Sequence, residues 1–260
     1  KFPIYQKVDG IKIYRVFGSQ GILKHFSRLM ATFVTLQKIK KKEGITFNVI
    51  HGFSSAPLLS LELKIAQLAT NKAKIVHSIK SYSKSKFGRK FFFFLHFANR
   101  ITIPTKSIIE TLFPTFPREK ISVIRSNIDL KKFNPQNKKE LKEKYGLSGK
   151  NVILYYGALR KQKGVDYLIQ SIPIVRKINP NTKFIFLIRS SETPEVFKKY
   201  EDMINQLECG DIVELSYRDV IIEDYVSMAD AVVLAYPNLI GTEGNPSCLL
   251  ESLAAKTPVV

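Results

Sequence analysis

Short apolar, β-branched runs alternate with helical patterns along the chain, and this alternation restricts the fold more than any other feature. Examples are IKIYRV, ITFNVIH, AKIVHSI and ISVIR in the first part, and NVILYYG, TKFIFLI and DAVVLAY in the second. The runs are almost continuously apolar, which is typical of strands buried on both faces. Strands that alternate with helices form parallel sheets covered by helices. The sequence therefore predicts an α/β protein with two Rossmann-like units.

The joint between these units is expected near RSNIDLKKFNPQNKKE, where a strand ends and Asn and Pro interrupt the pattern. This places a first domain over residues 1–127 and a second over residues 128–260. The chain starts without Met and stops on the apolar run TPVV, so we expect a fragment of a longer protein that lacks both ends.

The positive charge belongs almost wholly to one part of the chain. Residues 1–150 contain 30 Lys and Arg against 8 Asp and Glu, a net charge of +22, whereas residues 151–260 contain 11 against 14. Such asymmetry indicates an anionic partner, which is a nucleic acid, an acidic substrate or the inner face of a membrane. A solvated lysine-rich surface explains the same counts without any partner.

The stretch KSKFGRKFFFFLHFANR combines basic residues with four consecutive phenylalanines, residues 91–94. This composition is typical of an interfacial membrane contact, but a buried helix with a basic entry has it too. No apolar run reaches the ~18–20 residues that cross a bilayer, and no signal-peptide pattern is visible. Cys209 and Cys248 lack metal-ligand spacing and are interpreted as small buried residues. These features predict a cytoplasmic protein, and contact with the inner membrane face and burial of this segment both remain open.

The end of the chain, GTEGNPSCLLESLAAKTPVV, contains two glutamates around a turn and an apolar helix. Asn245 is a suitable N-cap and Pro246 a suitable first helical residue, so the helix is predicted to run from there to Lys256. The unpaired N–H groups at such a helix start attract phosphate.

The same helix is expected to turn Leu249, Leu250 and Leu253 towards the sheet. Glu251 then lies at the carboxyl edge of the strands, where open α/β sheets bind ligands. A carboxylate at this edge accepts hydrogen bonds from sugar or ribose hydroxyls.

This string resembles the Glu-x7-Glu motif of the group-1 (family 4) retaining glycosyltransferases, EGxxxxxLEAxAxGxPVV. The blocks ANRITIPTKSIIETL, ISVIRSNIDLKKFNP and VSMADAVVLAYP resemble other blocks of that family, in order, from about residue 46 to the end. The resemblance implies the GT-B fold, in which two Rossmann-like domains face each other across a cleft. It also implies that Glu243 lies against the donor sugar, that Glu251 binds the ribose, and that backbone N–H groups of Asn245 and Ser247 hold sugar or diphosphate.

A second block, NVILYYGALRKQKGV, resembles the family's phosphate-binding loop, GRLxxxKG. A nucleoside diphosphate leaving group requires positive charge, and the sequence has no Asp-x-Asp metal motif, so we assign that charge to Lys163 and the helix dipoles. Ala158 occupies the family's arginine position. Arg160, two residues on, is a second candidate, although a surface loop cation explains it equally well.

The predicted site therefore has catalytic and donor-binding residues but neither a metal ion nor a cofactor. The catalytic residues are Glu243 and Lys163, and the donor-binding residues are Gly157, Arg160, Gly244, Asn245, Pro246, Ser247 and Glu251. Ile188 and Ser190 replace two family glycines, and Lys80 replaces a family histidine. His51 and His77 are interpreted as core or strand-end residues.

The resemblance implies a retaining, metal-independent glycosyltransferase that uses a UDP- or GDP-sugar. Its acceptor is a glycan, a lipid-linked sugar or a small molecule bound by the basic first domain. Two alternatives remain open. One is another GT-B sugar-nucleotide enzyme, such as a non-hydrolysing epimerase, and the other is a nucleic-acid-binding protein with a degenerate transferase domain.

Overall fold

The structure is a computed structural model that describes residues 4–16, 24–70, 72–80, 92–106, 116–188, 192–238 and 245–260. The chain divides into two compact units, Lys1–Ile124 and Arg125–Val260. The first unit carries 22 Lys and Arg against 5 Asp and Glu, whereas the second carries 19 against 17. The charge asymmetry of the sequence is therefore a difference between two folded units.

The described part of the first unit contains six strands, two α-helices and two short 3-10 helices. They are β1 (Tyr5–Val8), β2 (Ile11–Tyr14), α1 (Lys24–Glu43), β3 (Val49–Phe53), α2 (Leu58–Gln67), β4 (Lys74–Ser78), a 3-10 helix (Phe92–Phe97), β5 (Arg100–Ile103), a 3-10 helix (Arg118–Lys120) and β6 (Ile121–Val123). Strands β3, β4, β5 and β6 pair in that order, all parallel. This is the parallel sheet that the apolar runs predict.

The run IKIYRV does not belong to this sheet. It forms β2, which pairs antiparallel with β1 in a separate hairpin. The turn of this hairpin contains Asp9 and Gly10, both with positive φ, which is the Asp-Gly signal for a tight hairpin. A local turn signal thus decided the pairing of this strand, so the prediction that it joins the parallel sheet was wrong.

The core of the first unit lies between the parallel sheet and α2. Ile75, Leu95 and Ile101 are fully buried there. Gly52 lies on β3 directly beneath α2, and a Cβ atom at that position would come within 2.8 Å of both Leu59 and Leu63. The absence of a side chain at residue 52 therefore allows α2 to pack closely on the strand.

The second unit begins with a 7-residue helix and continues as alternating strands and helices. Its elements are α3 (Lys138–Lys144), β7 (Asn151–Gly157), a 3-10 helix (Lys161–Lys163), α4 (Val165–Ile178), β8 (Thr182–Ile188), α5 (Pro194–Gln206), β9 (Val213–Ser216), α6 (Ile222–Met228), β10 (Ala231–Val232) and α7 (Ser247–Ala254). The described strands pair in the order β10-β7-β8-β9, all parallel. The last residues extend this sheet, because Val259 forms a parallel bridge with Val232.

The two central strands of this sheet are buried on both faces. On one face, Tyr155 and Phe186 pack with Ile169 of α4. On the other face, Leu154 and Ile185 pack with residues of α6 and α3. This double burial explains why NVILYYG and TKFIFLI are apolar almost throughout, and both strands have the predicted bounds.

Gly164 joins the 3-10 helix to α4 at a point of unusually close backbone contact. Its φ is +69°, and a Cβ atom there would lie 1.6 Å from the carbonyl oxygen of Ala235, just beyond β10. A flexible neighbour would move aside, but this neighbour is backbone. Only glycine therefore allows the loop after β7 to lie against the segment after β10.

Substitution of Gly164 by Ala is expected to destabilise the second unit by more than about 3 kcal/mol, because the new methyl group displaces backbone as well as straining φ. Gly149→Ala is the matched control: its φ is +72°, but nothing lies within 4 Å of the added Cβ. The control should lose only about 1–2 kcal/mol, the cost of the left-handed conformation. Hydrogen–deuterium exchange of the β7 and β8 peptides in increasing urea measures both losses. Equal losses would contradict this interpretation of the Ala235 contact.

Candidate functional site

The loop after β7 turns sharply at the carboxyl edge of the sheet. Gly157 has a φ of +150°, which a side chain would strain. The Tyr155 hydroxyl donates a hydrogen bond to the Ala158 carbonyl (2.6 Å), and the Arg160 amide donates to the same carbonyl (3.0 Å). Arg160 itself is exposed and precedes the 3-10 helix. The Ala158 carbonyl therefore fixes the loop by accepting from one side chain and one backbone amide, and the Arg160 side chain is exposed on its surface.

Lys163 ends this loop and is directed towards the segment after β10. Its Nζ donates a hydrogen bond to the Tyr236 hydroxyl (3.0 Å) and lies 4.6 Å from the centre of the Tyr236 ring. The side chain is half-buried, whereas Lys161 in the same 3-10 helix is exposed. The two lysines of the loop thus have different environments, and Lys163 is the one turned inwards.

Helix α7 starts later than the sequence predicts. Its first residue is Ser247, and Pro246 occupies the cap position with an extended ψ of 139°. No side chain caps the helix, so Asn245 is not the N-cap. The Asn245 carbonyl instead accepts a long hydrogen bond from the Ser126 hydroxyl (3.4 Å). The error arose because Asn-Pro marks both a cap and an extended turn, and tertiary contacts selected the turn.

The apolar side of α7 also differs from the prediction. Leu249 and Leu250 are half-buried, but Leu253 is 59% exposed, and the helix ends at Ala254 rather than Lys256. Ser252 is the fully buried residue of this helix, and its hydroxyl donates to the Cys248 carbonyl (2.7 Å). A small polar residue thus faces the sheet, because its hydroxyl is satisfied within the helix.

Glu251 is anchored to the sheet by a tyrosine of β7. The Tyr156 hydroxyl lies 2.9 Å from Oε2 of Glu251 and 3.0 Å from the carbonyl oxygen of Cys248. Burial, followed by the negative charge of Glu251, raises the pKa of Tyr156 well above that of a free tyrosine. The hydroxyl therefore keeps its proton and serves as a permanent donor.

Cys248 lies where the contacts of Lys163 and Glu251 meet. The Tyr236 hydroxyl, which accepts from Lys163, also interacts with the Cys248 thiol, while Tyr156 contacts the Cys248 carbonyl. Burial raises the pKa of the Cys248 thiol. A protonated, half-buried thiol is a poor nucleophile, which agrees with the interpretation of this cysteine as structural.

The structure thus brings together some of the predicted site residues at one sheet edge. Lys163 and Glu251 are connected through contacts of two tyrosines with Cys248. Gly157 provides the turn from β7 into the loop that leads to Lys163. Glu243 and Gly244 lie outside the described residues, as does Ser190. Ile188 is buried at the end of β8. Within the described ranges, no cluster of His, Cys, Asp or Glu has the arrangement of a metal site.

Sequence reasoning missed Tyr156 and Tyr236, which are visible in the sequence only as ordinary strand or loop residues. Gly164 matches the last glycine of the GRLxxxKG motif, but the sequence assigned it no role. The available signals were the tyrosine immediately before the Gly157 turn and the glycine immediately after Lys163. Neither signal shows which residue lies across the sheet edge, since that depends on the pairing of β7 with β10.

Residues 137–260 match the family model described as Glycosyl transferases group 1. This match covers 124 of the 260 residues of the chain. We call Arg125–Val260, the unit that contains the match, the transferase unit. An 87-residue segment of the chain is 30% identical to spore coat protein SA of Bacillus subtilis (strain 168), an alignment that covers 30% of this chain and 23% of that protein.

Solved structures extend the similarity beyond the transferase unit. Sucrose-phosphate synthase from Thermosynechococcus elongatus aligns with a TM-score of 0.78 at 15% identity, over 99% of this chain and 67% of that one. The Anabaena protein HepE in complex with UDP-glucose aligns with a TM-score of 0.73 at 14% identity, over 94% of this chain and 65% of that one. These likenesses show that both units have the fold of the GT-B glycosyltransferases.

The chain spans less than two thirds of the HepE structure and under a quarter of spore coat protein SA. Among the described residues, no helix of the chain has the length and apolar character needed to cross a membrane.

The first unit has its own polar network at the carboxyl edge of its sheet. Buried Ser78 of β4 contacts His51 of β3 (2.7 Å) and Thr102 of β5 (2.5 Å) through its hydroxyl. His51 is exposed and lies against the Phe53 ring, which also has the Lys80 ammonium 5.4 Å from its centre. The position that Lys80 occupies therefore presents a cation where the family has a histidine.

His77 lies in the core, as its position on β4 predicts. It is fully buried, with Nε2 2.9 Å from the Ser54 carbonyl and Nδ1 2.7 Å from the Ser60 hydroxyl. A carbonyl only accepts, so Nε2 carries the ring proton and Nδ1 accepts from Ser60. Burial lowers the pKa of His77, and this outweighs the bond to Ser54, which favours the charged ring.

The first unit should lose stability as the pH falls below about 6.5. The ordinary histidine pKa is 6.5, and the folded value is lower, so the unfolded chain binds more protons between the two values. The stability from neutral His77 is complete above pH 6.5 and is lost as the pH falls to the folded pKa.

Exchange protection of the β4 amides should therefore decrease as the pH is lowered from 7.5 to 5. His77→Asn should flatten this dependence, and His96→Asn, at an exposed position, should not. An unchanged slope in His77→Asn would exclude His77 as its cause.

Proposed function

We propose that the protein is a retaining, metal-independent glycosyltransferase that moves a sugar from a UDP- or GDP-sugar to an acceptor. The observation that supports it most is the pair of Lys163 and Glu251 at one sheet edge of the transferase unit. A cation and a carboxylate there suit the two polar ends of a nucleoside diphosphate, the phosphates and the ribose.

The diphosphate is the leaving group of this reaction, and negative charge develops on it as the sugar departs. Lys163 is the inward-facing cation of its loop, and its ammonium is oriented by the hydroxyl and ring of Tyr236. A preoriented cation stabilises the transition state more than the ground state, because the charge on the phosphate is largest there. Arg160 is exposed beside the same loop and is assigned a secondary contact with phosphate.

The ribose is assigned to Glu251, whose carboxylate accepts hydrogen bonds from hydroxyl groups. Gly157 allows the backbone to turn beside the phosphates, and the backbone N–H groups at Asn245 and Ser247, around Pro246, are assigned to sugar or diphosphate. Glu243 and Gly244 complete the site by the family resemblance alone. In this assignment Glu243 positions the donor sugar and forms no covalent bond.

Retention follows the same-face attack that the resemblance implies. The acceptor oxygen forms a bond to the anomeric carbon while the bond from that carbon to the phosphate oxygen breaks. The departing phosphate takes the acceptor proton. This scheme requires neither a protein nucleophile nor a metal ion, since Lys163 and the helix dipoles carry the compensating charge.

The acceptor is assigned to the first unit, which holds most of the net positive charge. A glycan, a lipid-linked sugar or a small molecule with anionic groups suits such a surface, and the same charge favours peripheral contact with an anionic membrane on the cytoplasmic side. No described contact of the first unit favours nucleic acid over these partners.

Calorimetry with UDP- and GDP-sugars tests the donor site. Lys163→Ala and Glu251→Ala should each weaken binding by ~1–3 kcal/mol, the usual cost of one lost hydrogen bond to a charged group. Lys161→Ala is the matched control, because it removes an exposed cation from the same 3-10 helix, and it should change binding by less than about 0.5 kcal/mol. The proposed function would be overturned if neither nucleotide-sugar binds, or if neither Lys163→Ala nor Glu251→Ala weakens binding.

A further inference from the structure

The hydrogen bond between Tyr156 and Glu251 suggests how the protein recognises the ribose of the donor. Tyr156 has one hydroxyl proton and two acceptors within reach, Oε2 of Glu251 at 2.9 Å and the Cys248 carbonyl at 3.0 Å. The Cys248 carbonyl also accepts from the Ser252 hydroxyl at 2.7 Å. A carboxylate is the stronger acceptor, so the Tyr156 proton belongs to Glu251.

Because of this bond, the two oxygens of the Glu251 carboxylate have different surroundings. Oε2 is occupied by Tyr156, whereas Oε1 accepts no hydrogen bond from any residue that the structure describes. Tyr156 lies on the central strand β7 and is half-buried, so its ring has little freedom to move. The hydroxyl therefore fixes the carboxylate from the sheet side.

We propose that Tyr156 is a positioning residue that orients Glu251 so that a single carboxylate oxygen, Oε1, receives a ribose hydroxyl of the nucleotide. This inference rests on the proposed function. It names the residue from which the preference for ribose over deoxyribose arises. Tyr156 does not itself touch the nucleotide. Its effect is to favour ribonucleotides over nucleotides that lack the hydroxyl bound by Glu251.

The bond between Tyr156 and Glu251 also avoids an energetic cost of the free enzyme. A partly buried carboxylate without a donor is destabilised by desolvation, and the protein then moves the group or protonates it. Tyr156 satisfies one oxygen before the ligand arrives. The ligand consequently has to desolvate only the other oxygen, and a carboxylate that is already oriented loses less freedom on binding.

The test compares binding of a nucleoside diphosphate with binding of its 2′-deoxy and 3′-deoxy analogues, using UDP or GDP according to the calorimetry above. The wild-type protein should prefer the ribonucleotide over at least one deoxy analogue by about ten- to a hundredfold, the value of one hydrogen bond to a charged group. Tyr156→Phe should lose most of this preference by weakening the ribonucleotide alone. Affinity for the deoxy analogue should stay the same.

Tyr145→Phe is the matched control. Its hydroxyl donates to Asp224 at 2.8 Å in the same unit, so it loses the same kind of bond away from the sheet edge. This variant should keep both affinities. Glu251→Ala and the double variant with Tyr156→Phe complete a cycle, in which the double variant should lose no more ribonucleotide affinity than Glu251→Ala alone.

The outcomes separate this inference from the proposed function. If the wild-type protein binds neither UDP nor GDP, the proposed function fails. If it binds and discriminates but Tyr156→Phe discriminates equally well, only the positioning role of Tyr156 is overturned. Equal weakening of the ribonucleotide and the deoxy analogue in Tyr156→Phe would also overturn it, because that result indicates a general structural role.

Discussion

The transferase unit depends on one close backbone contact, the approach of Gly164 to the carbonyl of Ala235. The contact joins the loop after β7 to the segment after β10, two neighbouring strands of the sheet. Lys163 precedes this glycine and Tyr236 follows this alanine, so the same contact brings the ammonium and the phenol within hydrogen-bonding distance. A larger residue at 164 would separate the loops and with them the two side chains.

Two tyrosines orient the charged groups of the sheet edge. Lys163 is bound to Tyr236, and Glu251 is bound to Tyr156, while Cys248 lies between the two pairs. Each charged group thus has a tyrosine hydroxyl as a partner, and the two tyrosines belong to neighbouring parts of the same sheet edge.

Particular elements show where sequence patterns were sufficient. NVILYYG and TKFIFLI were predicted with their actual bounds, because a strand buried on both faces is apolar at nearly every position. The patterns were insufficient at ends and turns. Asn245 has the character of a cap, but α7 begins only after Pro246. Leu253 has the character of a core residue but faces solvent, because the neighbouring Ser252 is the residue that α7 buries. IKIYRV has the character of a sheet strand but pairs within a hairpin, since its neighbours Asp9 and Gly10 form a tight turn.

The sequence by itself determined the α/β class, the parallel pairing of most strands and the motifs that identify the transferase unit, because periodicity, turn residues and motif spacing are local properties of the chain. The tertiary structure alone decided which side chains meet at the sheet edge. Lys163 and Tyr236 are 73 residues apart, and the pairing of β7 with β10 brings them together. Tyr156 and Glu251 are 95 residues apart, and the position of α7 beside β7 brings them together. Glycine at 164 is required for a similar reason: the atom that excludes a side chain there belongs to a strand end distant in sequence.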